Sequence, residues 1–128
     1  MPRSSIPARL ALLALSLAIG ASAREAFAIK QFSDEFKAAY VKEGTPLAAE
    51  VETAKCNVCH KGSSKKDRNA YGEALAKLLD KKEDKDNKEK IRQALDTVAK
   101  ESSDPSKPDA PTFGDLIAAG KLPGGPVE

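Results

Sequence analysis

The chain has 128 residues, the length of one small domain, with 21 Lys plus Arg against 19 Asp plus Glu, one His and two Cys. A formal charge of +2, an aromatic share of 5% and no Trp argue against a basic nucleic-acid binder and leave little material for a large apolar core. Acids are interleaved with the bases throughout, so no basic face stands out for a polyanion.

The first element is a leader. Arg3 and Arg9 give a basic start, an apolar run follows over 10–19, and Gly20 precedes a stretch of small residues. This is the pattern of a secretory signal peptide. Two A-x-A sites follow, Ala21-Ser22-Ala23 and Ala26-Phe27-Ala28; the second is favoured, giving a signal over 1–28 (alternatively ending after Ala23) and a mature domain over 29–128. An uncleaved anchor is disfavoured, because the stretch between Arg9 and Arg24 is well short of the roughly 20 apolar residues that span a bilayer. Without residues 1–28, Lys plus Arg falls from 21 to 18 and Asp plus Glu from 19 to 18, so the mature chain is near neutral. An exported protein with no transmembrane anchor and no nucleic-acid partner is expected.

The mature chain reads as helices in series. "QFSDEFKAAYVKEG" places Phe32, Phe36, Ala39 and Tyr40 on one helical face, with Ser33 as cap and Gly44 and Pro46 as the stop. "TPLAAEVETAKC" predicts a second short helix, with Thr45 as N-cap and Pro46 at its first position, leading into Cys56. After the loop "HKGSSKKDR", "NAYGEALAKLLD" sets Tyr71, Leu75, Leu78 and Leu79 on one side of a third helix. "KKEDKDNK" reads as a solvated connector with no binding role. "NKEKIRQALDTVAKE" repeats the spacing with Ile91, Ala94, Leu95 and Val98, and Asp86 with Glu89 suits a capping box. The proline-punctuated "SSDPSKPDAP" is a loop. A last helix starts at Thr112 and stops at Gly120, and "KLPGGPVE" is a tail. No segment alternates as a strand does, so the expectation is an all-α single domain of four or five short helices. Each helix offers only a few large apolar residues, and small domains with thin cores usually need a staple.

The chemistry is concentrated in Cys56-Asn57-Val58-Cys59-His60, which holds both cysteines and the only histidine. Several uses compete for a C-x-x-C followed by His. A thioredoxin-like dithiol would sit in a βαβ setting, which a helical chain does not offer. A structural zinc site normally takes four ligands, and only three thiol or imidazole ligands exist here, all nearly adjacent. A disulfide between Cys56 and Cys59 would close too small a loop to stabilise much.

The fourth use is covalent haem. C-x-x-C-H is the attachment motif of c-type haem, and the pentapeptide resembles that of the c-type cytochromes. The helix before the motif, the loop after it and the helices beyond are similar to a small monohaem class I cytochrome c. The resemblance implies one haem c held by thioethers from Cys56 and Cys59, with His60 as proximal iron ligand. "RNAYG" at 68–72 is similar to an Asn and Gly segment of that class, which implies a backbone carbonyl of the 65–68 loop as partner of the other His60 nitrogen. The function implied is one-electron transfer in the bacterial periplasm between redox protein partners, with no catalysis. An open-site haem protein that binds a small ligand, with sensor or peroxidase-like use, or the haem subunit of a larger redox complex, is the alternative.

The chain departs from that class at the sixth iron ligand. Its only Met is Met1, inside the leader, and no second His exists. "GKLPGG" at 120–125 looks like a methionine-bearing loop with Leu122 in the methionine's place, although its composition reads as a plain tail. A lysine, Tyr40, Tyr71, Asn69, the new N-terminal amine, a partner's residue or an open position remain. Losing the thioether ligand implies a lower potential than methionine gives. Lys61, Lys65, Lys66 and Arg68 suggest a docking patch for an acidic partner, with Asp67 among them.

Overall fold

The computed structural model describes residues 20–62 and 67–127, with side chains from Lys30 onward. Most of the expected signal peptide lies outside the described residues, as do Lys65 and Lys66. The described residues are helical and carry no strand, only isolated bridges between His60 and Arg68 and between Ser102 and Thr112. The helices are α1 (Gly20–Tyr40), α2 (Pro46–Ala54), α3 (Ala70–Ala76), α4 (Lys88–Ala99) and α5 (Phe113–Ala118), with a 3-10 turn over Lys55–Val58. None is long and apolar enough to cross a membrane.

The architecture centres on α4. Ile91, Ala94, Leu95 and Val98 recur at helical spacing and are all buried, Ile91 and Val98 completely. A large aliphatic side chain buried in this way contributes about 1.5–3 kcal/mol. The helix is wide enough in its apolar stripe to serve several neighbours, and it packs against α1, α3 and α5. Its N-cap is Asn87, whose side chain accepts from the Lys90 N–H at 3.1 Å. The expected cap Asp86 instead accepts from Gln31 Nε2 of α1 at 3.0 Å.

Polar contacts fix the α1–α4 pairing. The buried Glu35 carboxylate accepts from Arg92 Nε at 2.9 Å and has Lys88 Nζ at 3.9 Å. At the other end, Tyr40 donates its hydroxyl to the Leu95 carbonyl at 3.2 Å. Ser33, expected to cap a helix here, lies inside α1, which begins upstream of it. A chain of edge-to-face rings, Tyr40, Phe36, Tyr71 and Phe113, joins α1, α3 and α5 at centroid spacings of 5.4, 5.8 and 5.3 Å. Such pairs add about 0.5–1.5 kcal/mol each beyond their burial.

Two helix starts follow the sequence closely. Thr45 caps α2 by accepting from the Ala48 N–H, with Pro46 in the first turn. Thr112 and Asp115 form a reciprocal capping box on α5, which ends at Gly120 with φ of 76°, a conformation that suits glycine. Two further expectations are corrected. Leu78 falls beyond the end of α3 and is 38% exposed. The connector after α3 is largely exposed, as expected of a solvated segment, and holds one buried residue, Asp84. The segment after α5 is not a free tail, because Leu122 and Pro123 are buried.

Candidate functional site

The pentapeptide begins where α2 breaks. Lys55 has φ of 51°, a left-handed value that a residue with a Cβ rarely adopts, and holding it there costs on the order of 1 kcal/mol. The chain then tightens into the 3-10 turn. The N–H groups of Cys59 and His60 both donate to the Cys56 carbonyl, at 3.3 and 3.1 Å. Val58 points into the core at 6% exposure and anchors the turn. The result is that Cys56, Cys59 and His60 border one cavity of about 550 Å³, within the size range of small-molecule and cofactor pockets.

The other walls of that cavity are largely apolar. Phe32 and Phe36 of α1, Val51 of α2, Leu75 of α3, and Ile91 and Leu95 of α4 all line it. So do Leu79 and Lys81, from the segment that follows α3. These residues come from five segments of the chain, and only the fold brings them to the motif.

His60 is held from the loop that follows it. Its Nδ1 lies 3.2 Å from the Asp67 carbonyl, which also accepts from the Lys61 N–H at 3.1 Å. With Nδ1 donating there, the neutral ring keeps its acceptor lone pair on Nε2. A metal-binding histidine is commonly oriented in this way through its second nitrogen. The partner carbonyl falls inside the 65–68 loop that the resemblance indicated.

Asn69 closes the loop onto the motif. Its side-chain amide donates to the Val58 carbonyl at 2.9 Å and to the Asn57 carbonyl at 3.3 Å, and its backbone N–H donates to the Cys59 carbonyl at 3.0 Å. Its Oδ1 accepts from the Gly72 N–H at 2.9 Å and so caps α3. One residue therefore holds three consecutive carbonyls of the pentapeptide. The approach is close: a Cβ at Gly72 would overlap the Cys59 carbonyl oxygen, and one at Gly124 would overlap the Asn69 amide. Only glycine fits either position without a shift.

The two thiols differ. Cys56 is exposed, whereas burial and then the neighbouring Cys56 push the Cys59 thiol up to about 12. The cysteines are not joined in a disulfide. Among the described residues no three His, Cys, Asp or Glu side chains converge as a metal site would need.

The other candidates for iron are placed as follows. The Tyr40 hydroxyl is engaged with Leu95, and the Asn69 amide with the motif carbonyls. Tyr71 is completely buried in the ring chain, and among the described residues its hydroxyl finds no hydrogen-bond partner; burial raises it above its ordinary range. Leu122 is buried and is not among the residues that border the cavity. Instead Gly124 packs on Asn69, beside a smaller polar cleft of about 270 Å³ bordered by His60, Lys61 and Arg68. Sequence reasoning missed Lys81 as a wall residue and the clamp made by Asn69. The N–A–Y–G spelling signals the second, since an Asn N-cap before a tightly packed Gly is a helix start pressed against a neighbour. No match to this chain is found among protein-family models, curated proteins or solved structures.

Proposed function

We propose that the chain is an exported monohaem c-type cytochrome that transfers single electrons between protein partners in the periplasm. The observation that carries this reading is the cavity of about 550 Å³ that gathers Cys56, Cys59 and His60 against an otherwise largely apolar wall. Bound haem would supply an iron that gains and releases one electron. Cys56 and Cys59 would hold the ring through thioethers, and His60 would bind the iron through Nε2, oriented by the Asp67 carbonyl. Phe36, Val51, Leu75, Ile91 and Leu95 would exclude water from the ring, which lowers the local dielectric and limits reorganisation when charge changes. The exposure of Cys56 supports an attachment edge near the surface as the place where electrons enter and leave. Lys61 is exposed and Arg68 half-buried beside it, and this basic pair supports docking of an acidic partner.

An open-site haem protein is the second reading, favoured by one observation: the chain owns no second histidine, and its only methionine is Met1. Peroxide chemistry wants a distal acid-base group, usually His, so ligand binding is its more tenable form.

The test is the visible absorption spectrum of the full chain after export in a host that attaches haem, oxidised and reduced, with and without carbon monoxide. A Soret band that survives denaturation is expected. Its absence would remove the haem reading altogether. A low-spin spectrum indifferent to carbon monoxide supports the carrier, and a high-spin spectrum that shifts supports the open site.

A further inference from the structure

We propose that Lys81 would supply the second protein ligand to the iron that His60 would hold; the inference rests on the haem reading above. Four lysines border the cavity: Lys30, Lys37, Lys55 and Lys81. Lys30 is paired with Asp34 at 2.9 Å, and both side chains are more than half exposed. Lys37 and Lys55 are exposed, and Lys55 is tied to the attachment edge by its place next to Cys56. Lys81 alone among the four is partly buried, and it makes no hydrogen bond or ion pair among the described residues. Lys81 borders the same cavity as His60, and a lysine amine would offer the iron a nitrogen lone pair.

The turn around Lys81 has the construction of a mount. Asp80 Oδ1 accepts from the N–H groups of Lys82 and Glu83 at 2.7 and 3.0 Å. The Asp84 carboxylate, 5% exposed as a residue, accepts from the Asp80 N–H at 2.7 Å and from Lys90 Nζ at 2.8 Å. Two carboxylates thus fix the backbone on both sides of Lys81 and tie the turn to α4, while Lys82 and Glu83 face solvent. A solvated connector has no need of a buried carboxylate paired with a lysine. Functional side chains are held best where the supporting shell is itself locked.

The test uses the full chain with covalently attached haem. Oxidised and reduced absorption spectra, electron paramagnetic resonance of the oxidised form and carbon monoxide titration of the reduced form are recorded for the wild type, Lys81→Ala, Lys81→Arg and Lys37→Ala. The wild type and Lys37→Ala are expected to be low-spin. Lys81→Ala and Lys81→Arg are expected to lose the low-spin signature, and their reduced forms to bind carbon monoxide about tenfold more tightly or better, because no internal ligand competes. Arginine keeps the charge and the reach but offers no lone pair, so a high-spin Lys81→Arg with wild-type helical content separates ligation from folding. Imidazole is expected to restore the low-spin spectrum of Lys81→Ala. A low-spin Lys81→Arg or Lys81→Ala would overturn the assignment, as would a high-spin wild type, with the covalent haem intact in each case. A wild type with no Soret band would instead overturn the haem reading, and this proposal with it.

Discussion

The two sides of the cavity are built by different means. On the motif side, the 3-10 turn, the loop at 67–69 and the start of α3 are joined by backbone and amide hydrogen bonds, three of them from Asn69 to the carbonyls of Asn57, Val58 and Cys59. On the far side, α1 and α4 meet through apolar side chains and the Glu35–Arg92 pair. On the proposed haem reading, the contrast follows from what each side would have to specify. An imidazole that binds a metal must point in one direction, and hydrogen bonds are directional. A wall that excludes water from a flat ring needs only shape and apolarity, which side-chain packing provides and which tolerates conservative change. Damage to the motif side should therefore alter the spectrum as well as the stability, and damage to the α1–α4 packing the stability alone.

The largest expected effect comes from removing the anchors. Cys56→Ala combined with Cys59→Ala is expected to abolish covalent attachment completely, read as loss of haem staining after denaturing electrophoresis. Haem that stayed with the double variant through that treatment would show that the sulfurs are not the anchors. Gly72→Ala comes next. Its Cβ would overlap the Cys59 carbonyl oxygen, a backbone atom that has to move, and overpacking of that kind costs about 3 kcal/mol. Thermal unfolding should report the loss and the Soret band should shift with it; an unshifted band at full stability would mean that α3 does not press on the motif.

Asn69→Ala removes the side-chain bonds to Val58, Asn57 and Gly72, about 2 kcal/mol in sum at the usual net worth of a hydrogen bond. It should also change the spectrum, because the loop that orients His60 loosens. The far-side counterpart is Arg92→Ala, which leaves the buried Glu35 carboxylate with only Lys88 at 3.9 Å. As Arg92 is 64% exposed, solvent screens the pair and the expected loss is about 1 kcal/mol, smaller at high salt, with the spectrum unchanged. A spectral change in Arg92→Ala as large as that in Asn69→Ala would dissolve the distinction between the two sides.

Much of the fold was legible before the structure. The 3.6-residue spacing of Ile91, Ala94, Leu95 and Val98 marks a helix whose stripe is all buried, and Thr45-Pro46 and Thr112 with Asp115 are caps whose chemistry is local. Local signals failed where a competing partner existed. Ser33 is a good cap in isolation, yet α1 has already started upstream and leaves it no free N–H to satisfy. Asp86 suits a capping box, but Gln31 from α1 engages it and Asn87 takes the cap one residue later. The site divides in the same way. Cys56, Cys59 and His60 are readable because their spacing is itself the chemistry. Lys81 is not, because its position depends on Asp84 meeting Lys90 and on α3 and α4 lying side by side, and no pattern within "KKEDKDNK" encodes that meeting.

The packing of Gly124 on Asn69 orders events in time. On the proposed export, with the N-terminus crossing first, the pentapeptide emerges before residues 122–125, so Asn69 meets the motif before Gly124 packs against it. On that reading, attachment during translocation would act on a motif not yet closed by Gly124, and attachment afterwards on one held between α3 and the 122–125 segment.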